Sequence, residues 1–388
     1  EALGDIPRAE DLHQPASKSR VDGPFHWIPR YNHTSWKEAQ RMSMSMARTT
    51  KPPGASAAPP MASTPSGADG EPVLALRDSL LLSQRSSTIA RQMSMIEREL
   101  MASIDWSELS EPSWDQHTVR QEQWQLEYQD YVMFRIRQTM NDEPSEGQKD
   151  ALRQTIHGRG IHMLIARFNR TCAWVASHIV RSNNIQERVA IVNKFIRIAW
   201  HCYRQGNMES LCQIMFGLQS PWIARLQQTW EQVSLWELRA FEALRRFTSP
   251  REQFAFLRYS MREAIETNIP SRRFSPLTTS SSPYVPFFGQ FVSDLSAIDS
   301  LASFVDASGM PNTMPLYDDQ ELSLSWDALV NVYRLRIKSH IVREFITLQR
   351  CQRQAPAPPM ELPILIEVLQ LDTLSAMAIQ STSLALEP

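Results

Sequence analysis

Side chains that could do covalent chemistry are present in this chain, but not at spacings that would let them act. The histidines His157, His162, His178, His201 and His340 fall at no metal-ligand interval, and no HExxH, Walker loop, GxGxxG or GxSxG elbow occurs. With 12 glycines in 388 residues, a backbone loop that could cradle phosphate has little raw material. Cys172, Cys202, Cys212 and Cys351 are scattered without CxxC spacing, and three lie on apolar helical stretches, which suits reduced thiols packed as small hydrophobes. Neither a bound metal nor a cofactor is expected. The informative spacing is that of three hydroxyls. Ser293, Ser296 and Ser300 recur at i, i+3, i+7 in "FFGQFVSDLSAIDS", while Phe291, Leu295 and Ile298 recur at i, i+4, i+7. One helix would therefore carry an apolar face and, opposite it, a stripe of small hydroxyls where a surface helix normally carries Lys and Glu. Such a face suggests action by shape and contact.

The elements around that stripe read as helices almost throughout. Ile89, Met93, Ile96 and Leu100 keep the helical rhythm, as do Ile161, Leu164 or Ile165, Phe168, Cys172, Val175 and Ile179, and then Val189, Val192, Ile196 and Ala199. Ser220-Pro221 sets an N-cap residue before a Pro at N1, ahead of "WIARLQQTW". Alternating strand patterns are absent. The pattern predicts an all-α fold: a single large helical domain over 77–388, with Trp174 in its core.

Residues 1–76 read differently. "TTKPPGASAAPPMASTPSGADGEP" (49–72) is rich in Pro, Ala, Ser and Gly and cannot offset the entropy of ordering, so a disordered segment and linker is expected. "FHWIPRYNHTSWKEAQRMSMSM" ahead of it is too short for a core and suits a docking segment. The Ser-rich stretch 271–283 is open to two readings, a phosphorylated loop or a flexible connector.

A net charge of −2 gives no electrostatic case for nucleic acid. No run reaches the roughly 18 apolar residues of a bilayer helix, and the first residues do not resemble a signal peptide. A cytoplasmic location is expected, with membrane association only through partners.

Five blocks carry a resemblance. "IARQMSMIERELMASIDWSEL" (89–109), followed by Trp114, resembles the opening of the catalytic domain of Ras-family guanine-nucleotide exchange factors. Residues 168–230 resemble its central block through Asn169, Trp174, Ile179, Arg188, Phe195, Ile196, Asn207, Leu211, Leu218, Arg225, Leu226 and Trp230. "PYVPFFGQFVSDL" resembles its hairpin signature, "VNVYRLRIKSHIVREFITLQRCQ" (330–352) the helix that follows, and "STSLALEP" its terminal Ser-x-x-x-Glu-Pro. The resemblance implies a factor that binds a Ras-like small GTPase and promotes GDP release by inserting a helical hairpin next to the nucleotide site, with no covalent chemistry of its own. It implies a protruding helical hairpin formed by the helix of Phe291 and that of Arg334 to Glu344. It implies GTPase contacts at Arg188, Asn207, Glu209, Phe287, Phe288, Ser293, Ser296, Asp299 and Ser300; read as residues alone, the aromatic turn Phe287-Phe288 suits packing better than direct contact.

The same blocks also depart from the family. On the inserted edge the family has a small hydroxyl, then an apolar residue, then an acid; here Ser293, Ser296 and Ser300 stand there, with Asp299 one step earlier and about 100° round the helix. Glu209 occupies a position where the family commonly has Asn. The hairpin tip is long, and residues 1–75 do not resemble the N-terminal module that often braces the hairpin. An exchange-deficient scaffold that binds a GTPase, or an unrelated helical interaction domain, are the alternatives.

Overall fold

A computed structural model of the chain describes residues 81–110, 119–140, 147, 159–267, 284–306, 309–310, 329–355 and 359–387. The expectations for 1–76, for the 271–283 stretch, for Trp114 and for most of the hairpin tip fall outside these residues.

The described residues are almost entirely helical. In chain order they form α1 (Ser86–Ser103), α2 (Trp106–Ser110), α3 (Val119–Met140), α4 (Gly160–Arg181), α5 (Ile185–Arg204), α6 (Met208–Leu218), α7 (Pro221–Ala224), α8 (Gln227–Glu231), α9 (Leu235–Phe247), α10 (Ala255–Thr267), α11 (Phe288–Asp299), α12 (Val332–Gln354), α13 (Leu362–Gln370) and α14 (Ala376–Leu386). Between α11 and α12, β1 (Phe304–Val305) and β2 (Leu329–Val330) pair antiparallel as a two-residue ribbon. The domain is all-α, as the helical periodicity predicts.

Helix α4 is the axis of the core. Its buried face packs against α6, where the backbones approach so closely that a Cβ on Gly217 would lie 2.8 Å from Val175 Cβ and 2.9 Å from the Cys172 carbonyl. Trp174 is fully buried and meets Phe195 of α5 edge-on at 5.1 Å, with His178 on the same side. Helix α1 packs on α5, and α13 closes over α1 and α3. Polar ties cross these layers. Arg167 of α4 reaches Glu97 of α1 at 2.6 Å, Tyr128 of α3 at 2.7 Å and the Val368 carbonyl of α13 at 2.9 Å.

The segment after Ser220 is broken where the sequence suggests a continuous helix. Ser220 is the N-cap residue and Pro221 sits at N1, but the Ser220 hydroxyl makes no capping bond and α7 is a single turn. Leu226 leaves the helical region, with ψ 74°, and α8 starts afresh. The break is held from the far end of the chain. Glu387 accepts the free N–H groups of Gln228 and Thr229 at 3.0 and 3.1 Å and the Thr229 hydroxyl at 2.7 Å.

Candidate functional site

Helices α11 and α12 form the expected hairpin. They run antiparallel, since the start of α11 meets the late turns of α12 and the end of α11 meets its first turns. At the root, Phe288 and Phe291 pack edge-on against Phe345, with ring centres 5.7 and 5.3 Å apart. Further out, Leu295 is fully buried and Ile341 nearly so. The predicted apolar face of α11 is thus the face that meets α12.

At the outer end the arms are clasped by charge. Asp299 Oδ1 accepts from Arg334 Nη2 at 2.7 Å and from Lys338 Nζ at 2.8 Å, and Lys338 also reaches Oδ2 at 3.0 Å. Lys338 Nζ further donates to the Ser110 carbonyl at the end of α2 at 2.8 Å, so the second arm is tied to the body. Asn331 caps α12, its Oδ1 accepting from the Arg334 N–H at 3.0 Å while its Nδ2 donates to the Ala302 carbonyl. On the first arm, Asp294 takes a two-pronged bond from Arg258 of α10 at 2.5 and 2.6 Å. These bonds brace the hairpin from within the domain.

The hydroxyl stripe faces away from this packing only in part. Ser293 and Ser296 are half-buried, and Ser300 is exposed. Ser300 lies just beyond the last helical residue as the C-cap, and its Oγ donates back to the Ala297 carbonyl at 2.7 Å. Asp299, the acid nearest the edge, has its carboxylate wholly engaged in the clasp.

The remaining expected contacts lie behind the hairpin, in the interior. Phe287 and Phe288 are buried, with the Phe287 ring among Phe168, Phe216 and Phe254. Gly289 is required beside it, because a Cβ there would come within 2.3 Å of the Phe287 ring. Asn207 is fully buried and caps α6, accepting from the Ser210 N–H at 3.0 Å and donating to Ser94 Oγ at 2.9 Å. Next to it, the Met208 N–H donates to the Val285 carbonyl and the Val285 N–H to the Gly206 carbonyl, both at 2.8 Å, which fixes the strand leading into α11. Gly206 turns there with φ 74°, a conformation natural to glycine.

Glu209 is fully buried in the first turn of α6, and its Oε2 accepts the Phe288 N–H, the first of α11, at 2.8 Å. Burial, and then the neighbouring Glu97, push its carboxyl well above the ordinary range; the Phe288 N–H bond opposes them. Arg188 is also buried. It donates to Thr229 Oγ1 and the Ser182 carbonyl at 2.8 Å and faces Glu387 at 3.4 Å.

The structure therefore brings Ser293, Ser296, Asp299 and Ser300 together along one arm, and sets Asn207, Glu209, Phe287 and Phe288 at that arm's root. Arg188 lies apart, in the Glu387 network. Sequence reasoning missed Arg334, Lys338 and Arg258. The signal was available in part, since Asp294 and Asp299 sit on α11 without an i,i+4 basic partner. Cys172, Cys202 and Cys212 are buried and their thiols pushed up by burial, which keeps them protonated. Among the described residues no cluster could hold a metal ion, and no helix is long and apolar enough to cross a membrane.

Comparison with known proteins points the same way. The RasGEF domain pattern matches residues 88–336, which takes in α1 through α11 and the first turn of α12. The guanine nucleotide exchange factor LTE1 of Kluyveromyces lactis is 26% identical over 216 residues, 56% of this chain and 13% of that protein. Human Rap guanine nucleotide exchange factor 5 is 36% identical over 94 residues, 24% of this chain and 16% of that protein. Mouse Ras-specific guanine nucleotide-releasing factor 1 is 27% identical over 222 residues, 57% of this chain and 15% of that protein. The chain thus spans less than a fifth of the length of these relatives, and what it shares with them is one domain. With well over half of its residues matched, this chain belongs to the RasGEF domain family.

Proposed function

We propose that this chain promotes release of guanine nucleotide from a Ras-like small GTPase, with residues 77–388 as the working domain and the α11–α12 hairpin as the element that enters beside the nucleotide site. The observation that carries this reading is the hairpin's construction. Its inner faces are filled with aromatic packing, its arms are clasped by charge, and its outer edge carries Ser293, Ser296 and Ser300, the last of them exposed. No bond is made or broken by the exchange factor. It stabilises the nucleotide-free GTPase relative to the loaded one, and nucleotide then rebinds by mass action. Such a shift needs an edge that does not deform on contact, because only differential affinity for the two states moves the equilibrium. Asn207, Glu209, Phe287 and Phe288 support this edge from behind, while Arg188, in the Glu387 network, lies apart from it.

Asp299 favours a second reading. Its carboxylate is bound by Arg334 and Lys338 and Ser300 offers none, so the edge has no free acid to perturb a Mg²⁺ site. A scaffold that binds the GTPase without releasing nucleotide fits that feature. Release of a fluorescent guanine nucleotide from Ras-, Rap- and Ral-type GTPases separates the two. Accelerated release from one of them supports exchange; capture of nucleotide-free GTPase without acceleration supports the scaffold; neither outcome on any GTPase overturns both.

A further inference from the structure

Behind the hairpin two buried carboxylic side chains meet one buried cation. Glu97 of α1, Glu209 of α6 and Arg167 of α4 are all fully buried. Glu97 Oε1 takes bonds from Arg167 Nε at 2.6 Å and Gln213 Nε2 at 3.1 Å, while Glu209 Oε2 takes the Phe288 N–H. That leaves Glu97 Oε2 and Glu209 Oε1, both buried and both without a hydrogen-bond partner. The other titratable groups facing Glu209 or its partners carry no charge that could help. Cys172 of α4, Cys212 of α6 and Tyr128 of α3 are each pushed up by burial and stay neutral. Two anions against Arg167 alone would leave one buried negative charge uncompensated, a state that interiors avoid by binding a proton.

We propose that Glu209 is a positioning residue for the hairpin: its buried Oε2 caps the first turn of α11, and its carboxyl keeps its proton in the folded chain. The α11 N–H of Phe288 would otherwise be a buried donor with no partner at the point where the inserted arm leaves the body. Because Glu209 sits in the first turn of α6, and α6 is packed on the core axis α4, the cap fixes the direction in which the arm projects. Its proton is retained by the folded chain at pH values where an unfolded glutamate has lost it. The sign follows from that retention: the contribution is fully present below the unfolded value and is lost as pH rises through the raised folded value.

The effect on nucleotide release rests on the exchange reading, whereas the effect on the hairpin root does not. Amide hydrogen exchange of the free protein, expressed as protection factors for 287–295 against those of α4, is followed from neutral to alkaline pH together with nucleotide release. Wild type is expected to lose protection at the root as pH rises. Glu209→Gln offers an oxygen to Phe288 and has no proton to lose, so it should keep the root protected and remove the pH dependence. Glu209→Ala should lower root protection by roughly tenfold, as for loss of a helix cap, with α4 unchanged and release slowed in parallel. Root protection unaltered in Glu209→Ala, or lost equally in Glu209→Gln, overturns the proposal. If Glu209→Ala does not fold, the pH response of Glu209→Gln alone decides it. Loss of root protection with an undiminished release rate overturns the positioning role. Absence of release by wild type on any GTPase overturns the exchange reading only.

Discussion

Asp299 and Lys338, 39 positions apart, are joined at both carboxylate oxygens, at 2.8 and 3.0 Å, and the same ammonium holds the Ser110 carbonyl. A single lysine thus ties the first hairpin arm, the second arm and the body. Replacing it with alanine should loosen the outer half of the hairpin at a cost of about 1–3 kcal/mol, since the partly buried Asp299 keeps Arg334 but loses two bonds. Hydrogen exchange at 296–306 and 331–338 measures this; a change spread evenly over the domain would contradict a local clasp.

Ser296→Arg should abolish GTPase binding and nucleotide release without lowering Tm. Ser296 is half-buried on the outer edge. A bulky cation there costs several kcal/mol only when a partner desolvates it, and little in the free protein. Binding and release both equal to wild type would mean that the hairpin edge does not enter the nucleotide site.

Ser300→Glu should raise the release rate if the scaffold-like edge is a weakened exchange site. Ser300 is exposed and its hydroxyl bonds only to the backbone of its own helix, so the change leaves the fold intact. An unchanged rate would show that an acid at this position is not what limits release.

Trp174→Ala should cost roughly 3–5 kcal/mol, as for other large buried aromatics. Its ring is fully buried between α4 and α5 against Phe195. Equilibrium denaturation gives the value, and a loss below about 1 kcal/mol would be incompatible with that packing.

Glu387→Ala should be at least as damaging despite its place far along the chain. It strands Arg188, 3% exposed, and uncaps Gln228 and Thr229. Breaking one side of such a buried pair costs about 3–5 kcal/mol. Glu387→Gln, which keeps acceptor capacity, should recover part of it; equal Tm values for all three proteins would rule this network out as a source of stability.

The fold was legible because periodicity depends on neighbours in sequence. The 4-3-4 rhythm of Ile89, Met93, Ile96 and Leu100 becomes the buried stripe of α1, and Phe291 and Leu295 become the seam of the hairpin. The site was legible only as a stripe. Whether Asp299 is a free acid depends on Arg334 and Lys338, and whether Glu209 faces a partner depends on Phe288, 79 positions away; neither pairing leaves a local trace. The break between α7 and α8 was hidden for the same reason, since its cap comes from Glu387.

Glu387 also bears on how the domain assembles. Its bonds close loops of 158 and 199 residues, to Thr229 and to Arg188. Contacts of such separation are reached late, after local helices and their nearest packing have formed. During synthesis the α7–α8 break therefore waits, uncapped, until more than 150 further residues have been made.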